Sequence, residues 1–344
     1  MQALVINGRL DLAQVELPDP TPGEGQVRIR VDVVGICGSD LHYYFEGANG
    51  AFVVREPLVP GHELAGRVDL DPSGRLAPGT PVTVHPARFG DPRPGIETEP
   101  HLWPNGSYLG SASTTPHTQG AMSGLLVVEA GMLRVLPDAL PVRRAVLAEP
   151  LAVALHGAAR AGDLRGARVL VSGAGPIGLL AVVAAQAGGA AEVVATDVLP
   201  EPLERAAALG AQAVAAGADA IAAESFDVVL ECSGAAPALT TALRAVRRRG
   251  TVVQIGILPD EARPVNVAPL VSKEVSLLGA FRFKDEIDAA ITLLGERPEI
   301  EQVITHVLPL AAGAEAFELA KDPTRSGKVV VSLGEDEDQD GARP

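Results

Sequence analysis

The stretch ARVLVSGAGPIGLLAVVAAQAGGAAEVVATD, residues 167–197, decides the fold. It opens with a short Val- and Leu-rich run, as a strand buried on both faces requires. GAGPIG then turns into LLAVVAAQAG, which has helical length, and AEVVATD supplies the next strand. Residues 169–191 carry no charge, and such a run is long enough to span a bilayer. Gly173, Gly175, Pro176, Gly178, Gly188 and Gly189 break it, however, into strand, turn and helix. The alternation continues with a helix around 201–209 ended by Gly210, then FDVVLECSG, a helix near 236–248, and TVVQIGI. Strands alternating with helices in this way predict an α/β fold with a parallel, doubly wound sheet.

Gly173, Gly175 and Gly178 form G-x-G-x-x-G between a strand and a helix. The first glycine permits a tight turn, the second lets backbone approach a pyrophosphate, and the third lets helix and strand pack closely. Pro176 and Ile177 open the helix, whose N-terminal N–H groups and positive dipole end suit phosphate. The next strand ends at Asp197, where a carboxylate can accept from the ribose hydroxyls of a dinucleotide. Its charge repels a 2′-phosphate, and Val198, Leu199 and Pro200 bring no Arg to hold one. NAD is expected rather than NADP.

Outward from this core, the chain has 344 residues, enough for two domains. Upstream, QVRIRVDVV (26–34) alternates as a half-buried strand does. Short apolar runs separated by Gly and Pro follow to about residue 135, giving an antiparallel, barrel-like domain. The expected division is 1–150 for that domain and 151–283 for the dinucleotide domain. Residues 284–336 are expected to return to the first domain, and an acidic tail over 337–344 is expected to be disordered. The hydrophobic fraction is 47% and the net charge −15, so neither nucleic acid nor an anionic membrane is an expected partner. Lysines number only four, Lys273, Lys284, Lys321 and Lys328. The two cysteines, Cys37 and Cys232, offer no disulfide framework. The N-terminus lacks the pattern of a secretory signal, and a cytoplasmic location is expected.

Cys37 lies in GICGSDLHYY and His62–Glu63 in PGHELAGRV. Thiolate, imidazole and carboxylate are all zinc ligands, and three protein ligands with one open position make a catalytic site. Together the two segments resemble the signature of the zinc-containing medium-chain dehydrogenases, in which G-H-E-x-x-G is characteristic. The resemblance runs along nearly the whole chain and implies a GroES-like catalytic barrel joined to a Rossmann domain. It also implies residue roles. Cys37 and His62 match zinc ligands, and Asp40 matches the residue orienting the ligand His through its second nitrogen. Ser39 matches the hydroxyl that takes the substrate proton, and His42 the base further along that relay. Glu149, in AEPLAVALH, stands where alcohol-specific relatives have Cys. In the polyol branch Glu is found there, with Glu63 the usual direct ligand and Glu149 holding the metal's water. Charge agrees with keeping one carboxylate outside the first shell. Zinc with Cys37 thiolate, neutral His62 and one Glu sums to zero, which preserves its power to lower a bound water's pKa from 15.7 to about 7. Relatives usually carry a four-Cys lobe for a structural zinc. The corresponding stretch here, HPARFGDPRPGIETEPHLWPNG (85–106), has no Cys, so one catalytic zinc and no structural zinc is expected.

Within the polyol branch, GICGSDLHYYFEGANGAF (35–52), YLGSASTTPHTQG (108–120) and GAFRF (279–283) resemble the sugar-acid dehydrogenases acting on L-idonate. That likeness implies oxidation at C5 to 5-ketogluconate. A sugar acid needs a cation for its carboxylate, and Arg282 is the candidate. Tyr43 and His117 are candidate hydroxyl partners. A neutral polyol such as sorbitol, iditol or xylitol is the alternative substrate. A non-catalytic dinucleotide-binding protein is the alternative of another class, and the intact Ser39, His42, Cys37, His62 and Glu63 set argues against it. The apolar edge VSLLGA (275–280) predicts a homo-oligomer, dimer or tetramer.

Overall fold

In a computed structural model that describes residues 1–217 and 220–334, six strands pair in parallel. Their order is Gln212–Ala215, Glu192–Asp197, Arg168–Ser172, Phe226–Glu231, Val246–Gln254 and Ser276–Gly279. The first of these six in sequence, Arg168–Ser172, lies in the middle with its successors running outward to either side. Strand order therefore reverses beside it, and the crevice at the strands' C-terminal ends opens there. The sequence dictates this placement. Val169, Leu170 and Val171 are fully buried, and the helix Pro176–Ala187 is apolar nearly all round because it packs on the sheet and is itself covered. The Rossmann architecture expected from residues 167–197 is present.

The second sheet is built mostly from the N-terminal part. Its strands run in the order Leu133–Val135, Pro81–Val84, Glu63–Leu70, Gln26–Gly35, Lys328–Ser332 and Ile304–Pro309, with Leu125–Glu129 also on Gln26–Gly35. Gln26–Gly35 alternates in burial along most of its length, matching its polar–apolar alternation. Register does the functional work here. Gly35 pairs with Glu63 on one side and Val330 on the other, so residues nearly 300 positions apart in the chain meet at one end of the sheet.

The expected boundaries fall within continuous packing. The helix Ala148–Arg160 runs through the expected break at 150/151. After 284 the helix Ile287–Glu296 buries Ile287, Ala290, Ile291 and Leu294 in a core that holds both Val169, Val171 and Leu179 of the parallel sheet and Val33, Ala65 and Val330 of the second sheet, and the chain next joins the second sheet as the strand Ile304–Pro309. That helix is apolar on a face that fits the Ala-rich surface of Ala148–Arg160, which is why it stays there. At its start, Glu286 meets His156 at 2.7 Å, fastening the crossing point. The 337–344 tail lies outside the described residues. Among the described residues, no helix is long and apolar enough to cross a membrane.

Candidate functional site

Cys37 caps the helix Gly38–Glu46, and its own N–H donates to Asp40 Oδ2 at 2.9 Å. Asp40 Oδ1 accepts from the N–H of Gly61 at 3.1 Å. One buried carboxylate thus ties the loop bearing Cys37 to the loop bearing His62 and Glu63. The ligand-type atoms of Cys37, His62 and Glu63 all lie within 4.8 Å of one another, the one such group among the described residues. His62 and Glu63 are buried, and Gly35 makes room for the latter: a Cβ there would come within 2.2 Å of Glu63 Oε2.

The surroundings favour a cation. Burial alone holds His62 neutral, but the Cys37 thiolate, Asp40 and Glu149 outweigh it and raise the imidazole to about 10. A divalent ion placed among these groups would answer the same negative field. His62 Nδ1 has no hydrogen-bond partner, as suits an atom or ring waiting for a metal shell. The chemistry and spacing of the donors therefore fit zinc.

One charge here was missed in the sequence. Lys328 is 3% exposed, and its Nζ donates to Glu63 Oε1 at 2.7 Å and to the Ile36 carbonyl at 3.0 Å. Burial presses its pKa down, but Glu63 and Cys37 outweigh this and raise it, so it stays an ammonium. The available signal was a lone Lys opening the apolar strand GKVVVSL in a chain with four lysines.

Of the two carboxylates beside the trio, Asp40 is engaged otherwise than the resemblance implied. Glu149 stands outside the three-donor group as a neighbour, with Oε1 accepting from the Tyr108 hydroxyl at 2.5 Å. Burial raises its pKa, chiefly against the pull of His62. Asp40 engages backbone N–H groups of both loops; it acts on His62 through charge and through loop placement, not through a hydrogen bond to the ring's Nδ1. Tyr108, also missed in the sequence, stacks edge-on to His62 with centroids 5.4 Å apart. Its phenol is pushed well above the ordinary value by burial and by Glu149, so it remains a donor.

Ser39 is half-buried on the first turn of the Gly38–Glu46 helix, and His42 is exposed one turn on, with Nδ1 3.0 Å from Glu46. Such spacing places both on one helix face. Two substrate candidates have their polar atoms engaged within the protein. The Tyr43 hydroxyl is buried and already engaged by Ser111 Oγ at 3.2 Å and the Ala112 N–H at 3.1 Å. His117 accepts the Arg55 N–H at Nε2, 3.0 Å, while Nδ1 sits 2.9 Å from the Thr114 carbonyl. With both nitrogens taken by backbone, its ring closes a loop rather than meeting a ligand. Arg282 behaves otherwise. Its guanidinium lies 4.1 Å from the Tyr108 ring centroid and 4.9 Å from that of Phe281, and it makes no ion pair within the described residues.

At the crevice, Gly173 has φ +92°, and a Cβ there would meet Ser233 at 2.8 Å. A Cβ on Gly178 would fall 1.8 Å from the Gly173 carbonyl oxygen, whereas one on Gly175 would meet nothing within 4 Å. The first and third glycines are demanded by the protein's own packing; the second faces open space at the helix N-terminus, a cradle for a ligand. Asp197 accepts the Ala174 N–H at 2.8 Å and the Leu199 N–H at 3.1 Å, leaving lone pairs toward the crevice.

Comparison with known proteins agrees with both halves. Residues 23–138 match the alcohol dehydrogenase GroES-like domain and residues 176–296 the zinc-binding dehydrogenase family. A sorbitol dehydrogenase from Macaca fascicularis is 35% identical, covering 93% of this chain and 92% of that protein. The chain belongs to the zinc-binding dehydrogenases. It is therefore an oxidoreductase of the polyol and sugar-acid branch. An L-idonate 5-dehydrogenase (NAD(P)(+)) from Escherichia coli is also 35% identical, over 95% of this chain and 97% of that one. A crystal structure of L-idonate 5-dehydrogenase from the same organism superposes with a TM-score of 0.87 at 32% identity, covering 96% and 98% of the two chains. Zinc-binding dehydrogenases of this kind work with a nicotinamide dinucleotide and zinc, and the two settings described above are where this chain has matching groups.

Proposed function

We propose that the chain is a NAD-dependent dehydrogenase oxidising L-idonate at C5 to 5-ketogluconate, reversibly, with one catalytic zinc held by Cys37, His62 and Glu63. The observation that carries this reading is a guanidinium without a carboxylate partner among the described residues, Arg282, one aromatic ring away from Glu149 and the donor trio. When bound, zinc supplies a Lewis acid for the alcohol oxygen and NAD a hydride acceptor. The chain's own residues do the rest. Ser39 takes the substrate's hydroxyl proton as it passes its own outward, and His42 at the exposed end of the same helix face takes that proton and releases it to solvent. Glu149, held by the Tyr108 hydroxyl, stands beside the donors that would hold the metal. Gly173, Gly175, Pro176, Ile177 and Gly178 receive the pyrophosphate, and Asp197 the ribose, which supports NAD over NADP.

Arg282 supplies the charge for a carboxylate that is costly to desolvate alone. A paired guanidinium contributes about 1.5–3 kcal/mol, a factor of roughly 10 to 150 in binding. Arg282→Ala is expected to weaken an aldonate by that factor and a neutral polyol of matching stereochemistry far less, read as kcat/KM on the two substrates. Equal losses would remove the support for a sugar acid. Sorbitol and related polyols are the second reading, favoured by the sorbitol dehydrogenase relatives at the same identity; a wild-type preference for sorbitol over every aldonate would install it. We also propose a cytoplasmic homo-oligomer, dimer or tetramer, joined through the Ser276–Gly279 edge. Val271 at 79% and Phe281 at 46% exposure flank that strand with apolar surface.

A further inference from the structure

Three carboxylates meet at the pocket, one of them, Glu63, within the donor trio and two beside it, and each is held by a different device. Asp40 is held by backbone N–H groups, Glu63 by Lys328, and Glu149 by Tyr108 alone. Tyr108 also joins Arg282 to the metal pocket: one face of its ring carries the guanidinium, and the ring makes a T-shaped pair with His62. Arg282 itself sits at φ +51°, a left-handed conformation that a side chain rarely adopts, so its position is imposed by its surroundings and the stack is part of them. Remove the phenol oxygen and Glu149 becomes a buried carboxylate without its donor, beside a site built for a cation.

We propose that Tyr108 is a positioning residue that keeps one coordination position of the metal open by holding Glu149 back, while its ring aims Arg282 at the substrate. The hydroxyl and the ring perform separate tasks. The hydroxyl determines whether Glu149 joins Cys37, His62 and Glu63 as a fourth protein ligand; the ring determines where the guanidinium lies. This rests on the reading of the trio as a zinc centre with Arg282 as carboxylate partner.

The test uses full-length wild type, Tyr108→Phe, Tyr108→Leu and Glu149→Gln, with and without Tyr108→Phe, each loaded with zinc or with cobalt(II). Chelator competition gives metal affinity, the cobalt visible spectrum reports coordination, and kcat and KM are measured on an aldonate. Tyr108→Phe is expected to bind zinc about tenfold more tightly, the worth of one charge-assisted hydrogen bond redirected to the metal. Its cobalt spectrum changes and kcat falls by a similar factor, while KM stays within about twofold because the ring remains. Tyr108→Leu additionally raises KM about tenfold. In the Glu149→Gln background, Tyr108→Phe no longer alters zinc affinity. Unchanged affinity and spectrum in Tyr108→Phe, with metal bound normally by the wild type, would overturn the proposal alone. Failure of the wild type to hold zinc or cobalt would overturn the zinc-centre reading and the proposal with it. Should Tyr108→Leu fail to fold, the Phe variant and its Glu149→Gln cycle decide the hydroxyl's part by themselves.

Discussion

The metal pocket and the dinucleotide turn are made in opposite ways. The turn is made of absences: Gly178 must lack a Cβ because the Gly173 carbonyl would be 1.8 Å from it, and Gly175 lacks one where nothing but a ligand would be met. Its parts lie within 25 residues of one another, 173 to 197, and its donors are backbone. The metal pocket is made of charges: Cys37, Asp40, Glu63, Glu149 and Lys328 converge from both ends of the chain, with Lys328 and Glu63 separated by 265 positions. A site of absences is rigid and indifferent to what its neighbours ionise. A site of charges depends on every member being present, since each buried ion is tolerable only through its partner.

That contrast can be broken most sharply at Lys328. Lys328→Met leaves Glu63 buried and unpaired, and metal-free protein should lose about 3–5 kcal/mol of stability in urea denaturation. The loss should shrink with zinc bound, because the metal then answers Glu63. A loss under about 1 kcal/mol without metal would show the pair to be dispensable. In the turn, the expected effects are smaller and split by position. Gly178→Ala should cost about 1–3 kcal/mol in the same assay through overpacking. Gly175→Ala should leave stability within about 0.5 kcal/mol yet weaken NAD binding, measured by fluorescence titration, by roughly tenfold. If both glycine variants lose stability equally, the open space at Gly175 belongs to packing rather than to a ligand. Asp197→Ala should narrow the kcat/KM preference for NAD over NADP by roughly tenfold, by relieving repulsion of the 2′-phosphate; equal use of both cofactors by the wild type would contradict the assignment. The smallest effect on chemistry belongs to the sheet edge. Leu277→Lys should shift light scattering toward monomer while kcat changes by no more than about twofold. A wild type that is monomeric at micromolar concentration would remove this element.

The same contrast explains what could be read in advance. Residues 167–197 announced both the parallel sheet and the glycine turn, because a βαβ unit is local and its periodicity is written in consecutive residues. Cys37, His62 and Glu63 were legible as ligand types in two short motifs. Lys328 was not, because only the pairing of Gly35 with Glu63 and with Val330 brings its strand to the pocket. Tyr108 stood in a segment already singled out, yet its partner Glu149 is 41 positions away. The engagements of Tyr43 and His117 were hidden for a related reason: their partners lie in the 111–118 loop and its neighbours, which only the fold brings to them. The place of the helix Ile287–Glu296 was not legible because its apolar face buries in a core shared by both sheets.

The most direct test of the account is the zinc content per chain, measured on the same preparation that is assayed for NADH formation. One tightly held zinc per chain in active wild type, lost together with activity in Cys37→Ser, is the result predicted by a single three-donor site and a cysteine-free 85–106 stretch. Two firmly bound zincs per chain, or full turnover from protein that holds none, would contradict it.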